Sequence, residues 1–473
     1  MLFQHSLIYL LAKIIPAIVA FAALSIYTHY LTPSEYGIYT LIFTGALFLH
    51  NVIFNWLPAG TLRFWSNERF DRTSFTSTLA INYFKISTVL LFFTVAVVIF
   101  YWGETNALWA ISAYLLLLAL AIYTITQSIL SAKIEPVYYA YLTISYALLA
   151  LSAGTLFAYL GYGAIGVILG ITIGLSTPAI FIYKKTWLPF NRKSNDKELL
   201  KNLLVYGLPF ASAALLEELT KVADRFMLAW LQDKSQAGLY AVGYDLSGNS
   251  IMMIMSAINL AAYPVVIKLL DSKGKKVAME YFYKYTVLLL AVSIPAVMGL
   301  NLVGPDLIYL LIDEKYHESV LFLLPWITSA VFIMGLQAFY FDLAFQLGHR
   351  VITIVKISAI VATINLILNY WLIPIMGIQG AAIATLLSFT IGSLLSALLG
   401  RTHFSLPFPL KEFLKIILST LVMGACLWWL KDLRGWGWLI LQLGVGIVSY
   451  SIMIISFNVM EARSYLIRFI RSE

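Results

Sequence analysis

A succession of apolar stretches, each long enough to cross ~30 Å of hydrocarbon, constrains this chain more than any other feature. Six fall between residues 7 and 183, six between 203 and 400, and two more at 412–430 and 437–458. A lipid-embedded segment must satisfy its backbone N–H and C=O groups internally, and the α-helix does so within one segment. The expected fold is therefore all-α, a polytopic membrane protein of about 14 transmembrane helices. Composition agrees: 61% of residues are hydrophobic and 11% charged, where soluble domains carry roughly 25% charged residues. The first stretch, residues 7–27, is too long for a signal-peptide core and leads into further spans, so it is expected to be retained.

The net charge of +8 does not indicate nucleic acid, because the basic residues sit in short clusters between apolar runs. With the N-terminus inside, twenty-one of the thirty-one Lys and Arg residues fall in inside connections and four (Lys234, Lys315, Lys431 and Arg434) in outside ones. The positive-inside rule then places both termini in the cytoplasm. The single cysteine, Cys426, leaves no intramolecular disulfide and no cysteine metal cluster.

The basic, polar stretch with Pro189 reads as a solvated cytoplasmic linker at 185–201. It separates an N-lobe at 1–184 from a C-lobe at 202–401, with the two extra helices and a tail at 402–473. The halves resemble each other. Thr32-Pro33-Ser34-Glu35-Tyr36-Gly37-Ile38-Tyr39 matches Asp233-Lys234-Ser235-Gln236-Ala237-Gly238-Leu239-Tyr240 at an offset of 201 residues without a gap. Gly163-Ala164-Ile165-Gly166 answers to Gly377-Ile378-Gln379-Gly380. Six spans per half is an even number, so both halves enter the membrane the same way, as a parallel pseudo-repeat of two six-helix lobes.

Leu31 to Tyr39 also resembles the first outside turn of the polysaccharide-biosynthesis (Wzx-type) flippases of the multidrug, oligosaccharidyl-lipid and polysaccharide exporter superfamily. Further matching segments follow in family order: Tyr206-Gly207-Leu208-Pro209, Ala223-Asp224-Arg225-Phe226-Met227, Gly238 to Val242, Asn365 to Asn369, and Pro374 to Thr385. The resemblance implies export of an undecaprenyl-diphosphate-linked oligosaccharide across the bacterial cytoplasmic membrane by alternating access, for surface polysaccharide biosynthesis. It implies membrane lipids and the lipid-linked glycan as partners, with a polysaccharide polymerase and its chain-length machinery as further candidates. It brings no cofactor and no enzymatic activity.

Ionisable groups inside hydrocarbon cost roughly 2.5–3.5 kcal/mol each on insertion scales, so those that remain point to a wet cavity or a partner. Glu217, Lys221, Asp224 and Arg225 in the seventh span share one helical face. With the diphosphate that the resemblance implies, Lys221 and Arg225 become its cationic anchors, since Arg offers a planar fork and Lys a movable point charge. Glu217 and Asp224 are candidate coupling-ion sites, although the stripe can equally pair within itself. Asp245 is a second candidate ion or packing site, positioned to partner Arg225, and Asp342 a candidate inner gate. Arg63, Lys13 and Lys85 near the inner ends of their spans can extend the anion path, although topology and snorkelling also explain them. His50 and Asn55 can hydrogen-bond sugar hydroxyls, or equally bond helix to helix.

Two other functions use part of this pattern. A multidrug or toxin cation antiporter shares the architecture but calls for an acid-lined cavity, which the basic groups at 221 and 225 disfavour. A glycan polymerase or acyltransferase calls for a large outside loop or a convergent histidine and carboxylate site, and the six histidines are scattered. No phosphate-binding Gly-Lys-Ser loop is present, which argues against direct ATP drive.

Overall fold

Thr32 stops the chain before the second helix and starts it again. Its hydroxyl accepts from the Glu35 N–H at 3.3 Å, and the Glu35 carboxylate accepts from the Thr32 N–H at 2.9 Å, a reciprocal capping box. Pro33 occupies the first turn, where its missing N–H costs nothing. The repeated turn uses the same device, with the Asp233 carboxylate accepting from the Gln236 N–H at 2.9 Å. The computed structural model describes residues 2–67, 69–101, 105–431, 434–461 and 463, with the side chains of 2–7, 10, 105, 106, 209–217, 221 and 249 excepted. It separates into two units, Met1–Gly238 and Leu239–Glu473.

The first unit is built from α1 (Leu2–Tyr30), α2 (Pro33–Ile53), α3 (Trp56–Phe64), α4 (Arg72–Phe100), α5 (Thr105–Ala132), α6 (Pro136–Tyr159), α7 (Gly163–Phe181), the single turn α8 (Tyr183–Thr186) and α9 (Lys197–Leu231). Helix α10 (Lys234–Ser247) begins within it. Lipid provides no hydrophobic force between helices, so close backbone approach has to hold them together. Gly166, Gly170 and Gly174 are spaced by four residues along α7, and a Cβ added at Gly170 would lie 2.2 Å from the Gly154 nitrogen in α6. At Gly174 it would lie 2.7 Å from the Ala150 Cβ. Helix α9 packs in the same manner: a Cβ at Gly207 would come within 2.5 Å of the Trp56 carbonyl oxygen, and one at Gly60 within 2.5 Å of Leu203. Around this junction Phe54, Trp56, Trp65 and Phe75 are buried with Leu199 and Leu203. The outer face is apolar, with Phe92, Phe93 and Phe100 of α4 at 72%, 68% and 81% exposed, the reverse of a water-soluble surface.

The two copies of the first repeat touch. A Cβ on Gly37 would fall 1.8 Å from the carbonyl oxygen of Lys234, and one on Gly238 would fall 2.0 Å from that of Pro33. Pro33 and Lys234 are themselves equivalent at the 201-residue offset. The contact is reciprocal, residue for residue, as a local two-fold relation requires.

The second unit continues with a π-helical turn (Gly248–Met252), α11 (Met253–Lys273), α12 (Lys275–Leu311), α13 (Glu314–Leu336), a second π-helical turn (Gln337–Phe341), α14 (Leu343–Leu347), α15 (Val351–His403), α16 (Leu410–Trp428) and α17 (Trp436–Ser456). Helix α15 turns at Gly377, whose φ of +55° matches the +54° of its repeat equivalent Gly163, a conformation that side chains rarely adopt. Across that turn Asn365 donates to Thr385 at 3.4 Å, fastening the two arms, and Asn369 one turn along the first arm donates to Asn365 at 3.1 Å. Helices α16 and α17 pack on α12 through Met423, Leu427 and Leu439 against Val303.

Eleven helices among the described residues are long and apolar enough to cross a membrane. They become fourteen when α15 is counted as two arms about Gly377 and when the helices α9 and α16 are added. The stretch at about 304–319 has the composition of a turn at Gly304-Pro305-Asp306, yet it is mostly helical, with α12 running through Pro305 to Leu311 and α13 starting at Glu314. Inside a membrane bundle neighbouring helices tolerate such a proline.

Candidate functional site

Helix α9 carries the charged stripe, and its second half lies along α2. There the Arg225 guanidinium donates from Nη1 to the Thr40 hydroxyl, while the neighbouring Phe226 ring lies under Gly45, whose added Cβ would be 3.2 Å away. Arg225 is 7% exposed, Asp224 1% and Thr40 1%. A cation and a carboxylate that far from water persist only with hydrogen-bonded partners, because desolvation costs several kcal/mol per ion even after relaxation, on the order of the Coulomb gain. Asp224 and Arg225 both have further polar or electrostatic partners. Thr40 follows a cluster of aromatic rings on α2. Tyr39 meets Tyr36 at 5.3 Å and Tyr27 at 5.9 Å, both edge to face. The first unit therefore buries two charged side chains of α9, with Arg225 bonded to Thr40 of α2 next to Tyr39.

The other sequence-derived candidates fall as follows. Glu217 and Lys221 lie in α9, with side chains outside the described residues. His50 is 3% exposed at the end of α2, with Nε2 2.9 Å from the Thr124 hydroxyl of α5 and its ring stacked on Phe54. Asn55 is half-buried at the break between α2 and α3, where its N–H and that of Phe54 both bond the His50 carbonyl, at 3.1 and 2.8 Å. Arg63, Lys13 and Lys85 are exposed on α3, α1 and α4.

In the second unit Asp245 is half-buried in α10 and engaged in an interaction of its own. Asp342, 6% exposed, follows the second π-helical turn and accepts a hydrogen bond from Ser396 of α15 at 2.6 Å. A helix with one extra residue in its turn re-aims the side chains after it, a geometry frequent at functional positions.

Sequence reasoning missed three polar partners. Thr40 and Ser396 carry no charge to stand out in an apolar run, and ordinary back-bonding to their own helices would satisfy their hydroxyls. Asp306 follows Gly304-Pro305, a sequence with the composition of a turn, yet it is 3% exposed in α12 and accepts from Gln442 of α17 at 2.7 Å. Among the described residues no three His, Cys, Asp or Glu side chains gather as a metal site.

Across 96% of this chain and 99% of the other, the fold matches that of the lipid II flippase MurJ in an inward closed conformation, with a TM-score of 0.76 at 17% identity. It also matches an inward-facing multidrug resistance MATE family transporter, with a TM-score of 0.61 at 14% identity over 83% of this chain and 97% of that one. The class is thus a polytopic membrane protein with the fold of the multidrug, oligosaccharidyl-lipid and polysaccharide exporter superfamily. Within it, residues 2–270 match the model of the polysaccharide biosynthesis proteins, more than half of the chain, and the protein belongs to that family. The chain is 29% identical to the probable flippase AglR of Haloferax volcanii over 181 residues, a stretch covering 37% of this chain and 36% of that protein.

Proposed function

We propose that this protein is a flippase that moves an undecaprenyl-diphosphate-linked oligosaccharide from the inner to the outer leaflet of the bacterial cytoplasmic membrane, with both termini in the cytoplasm. The observation that carries this reading is Arg225, a guanidinium 7% exposed in a membrane-spanning helix of a chain whose family is polysaccharide biosynthesis. A fork of donors in a low-dielectric wall suits a diphosphate and repels a cation. In this scheme Arg225 and Lys221 hold the diphosphate, and Lys13, Lys85 and Arg63 bring it in from the inner side. Glu217, Asp224, Asp245 and Asp342 couple an ion or gate the cycle, and His50 and Asn55 contact sugar. The lobes are 1–184 and 202–401, joined by the linker at 185–201, with spans thirteen and fourteen peripheral. A probable flippase among its sequence relatives and a lipid II flippase among its fold relatives both support the reading.

Complementation of a flippase-null strain, with membrane abundance measured alongside, tests it. Arg225→Ala is expected to abolish glycan export at normal abundance, and Arg225→Lys to restore part of it, since Lys keeps the charge and loses the fork. Full export by a well-expressed Arg225→Ala, Lys221→Ala double variant would remove the diphosphate anchor. Lost abundance rescued by a charge swap with Asp224 would instead make Arg225 a packing ion pair.

A further inference from the structure

At the opposite end of α4 from its apolar tip, the first unit holds a cavity of about 530 Å³ lined by Trp65, Arg72, Thr76, Lys133, Glu135 and Leu188. Two cations meet one aromatic ring there, the Arg72 guanidinium 4.8 Å and the Lys133 ammonium 5.2 Å from the centre of the Trp65 ring. Each is steered by a backbone carbonyl: Arg72 donates to the Trp65 carbonyl, and Lys133 donates to that of Lys185 at 2.6 Å. A guanidinium has five N–H donors and an ammonium three, so both keep donors to spare after these bonds. The carboxylate among the lining residues, Glu135, pairs with Lys185 at 3.3 Å, and that of Asp71 accepts from the Ser74 N–H at 3.1 Å as the cap of α4. The pocket therefore keeps a surplus of positive charge.

The wall facing α4 is the segment between α8 and α9, read from sequence as a solvated linker. It is fastened down instead. Thr76 donates to the Pro189 carbonyl, and the Ser77 and Thr78 hydroxyls accept from the N–H groups of Asn191 and Asp196 at 2.8 and 2.9 Å. Trp187 donates to the Thr126 hydroxyl at 2.9 Å, and Arg69 pairs with Glu198 at 2.8 Å. Leu188 of the lining is 43% exposed, and the apolar residues that adjoin lining residues in sequence, Ile134, Val137 and Phe190, are 68%, 63% and 45% exposed, which gives the cavity apolar surroundings at its rim. A pair of cations beneath an apolar rim, just past the end of a membrane-spanning helix, has the amphiphilic pattern of a lipid headgroup at the membrane surface.

We infer that this pocket binds the phosphate of an anionic lipid headgroup, with Arg72 and Lys133 as the phosphate ligands and the rim residues against its acyl chains. Burial lowers the Lys133 pKa, as do its cationic neighbours Lys185 and Arg72, with Glu135 opposing. The site is separate from Arg225 and does not depend on the flippase reading.

Native mass spectrometry of the full-length protein in neutral detergent tests it, with phosphatidylglycerol and phosphatidylcholine of equal chain length as probes. The wild-type protein is expected to retain phosphatidylglycerol over phosphatidylcholine, and Arg72→Gln with Lys133→Gln to reduce that retention about tenfold. Arg192→Gln with Lys193→Gln, an equal charge loss on exposed linker residues, is expected to leave it unchanged. Should the Arg72 variant fold poorly, Lys133→Gln against Lys133→Arg gives the same comparison, with Arg retaining the lipid and Gln releasing it. Equal retention by wild type and charge-loss variants would overturn the assignment. Binding of inorganic phosphate without preference between the two lipids would also overturn it, in favour of a free anion.

Discussion

Two glycines at equivalent repeat positions do the most demanding work at the scale of single residues. Gly37 and Gly238 bring a carbonyl of each turn to where the other turn's Cβ would be, so neither helix start can carry even a methyl group without moving. Gly37→Ala or Gly238→Ala is expected to cost about 1–3 kcal/mol, the range for overpacking a close contact. A thermal-shift measurement in detergent checks this, and an unshifted melting temperature in both variants would mean that the turns do not meet as described. Arg225 was legible in the sequence because a charge in an apolar run is conspicuous. Its partner Thr40 was not, because one threonine among many looks like every other. The repeat offset of 201 residues was legible too, but a pattern of recurrence does not say that the two copies touch.

Between elements, polar bonds decide what apolar packing leaves open. The strap between α8 and α9 is held by three consecutive hydroxyl residues, Thr76, Ser77 and Thr78. Removing two of them by Ser77→Ala with Thr78→Ala forfeits roughly 0.5–1.5 kcal/mol per bond. Faster proteolysis of residues 190–196 is the expected outcome in vesicles that expose the strap, and an unchanged cleavage rate would contradict the fastening. In the second unit, Gln442 ties α17 to α12 through Asp306 at 2.7 Å and also reaches the Leu430 carbonyl at 3.0 Å. Asp306→Ala is expected to destabilise by about 1–3 kcal/mol through the buried donor it strands, while Asp306→Asn, which keeps an acceptor, loses less. Equal melting temperatures for the two variants would remove this lock. Helix number was readable because each apolar run must be about as long as the bilayer is thick. The strap and the Asp306 lock were unreadable because both depend on side chains meeting backbone or side chains far along the chain. Gly304-Pro305-Asp306 also has the composition of a turn, and only its neighbours make it helix.

For the whole molecule, the apolar exterior and the buried ions pull in opposite directions. Phenylalanines of α4 more than two-thirds exposed belong in lipid, while Arg225 and Asp224 belong where lipid cannot reach. A family of polysaccharide biosynthesis proteins and a fold shared with lipid II and multidrug transporters leave open which sign of charge is carried. Arg225 is the residue on which that choice turns. The most direct measurement uses proteoliposomes loaded on one leaflet with an undecaprenyl-diphosphate-linked oligosaccharide and scored by an impermeant lectin on the other side. Wild-type protein is expected to deliver the glycan to the lectin and Arg225→Ala protein to leave it hidden. Transport of a cationic dye instead, with the glycan lipid staying where it was loaded, would contradict the account.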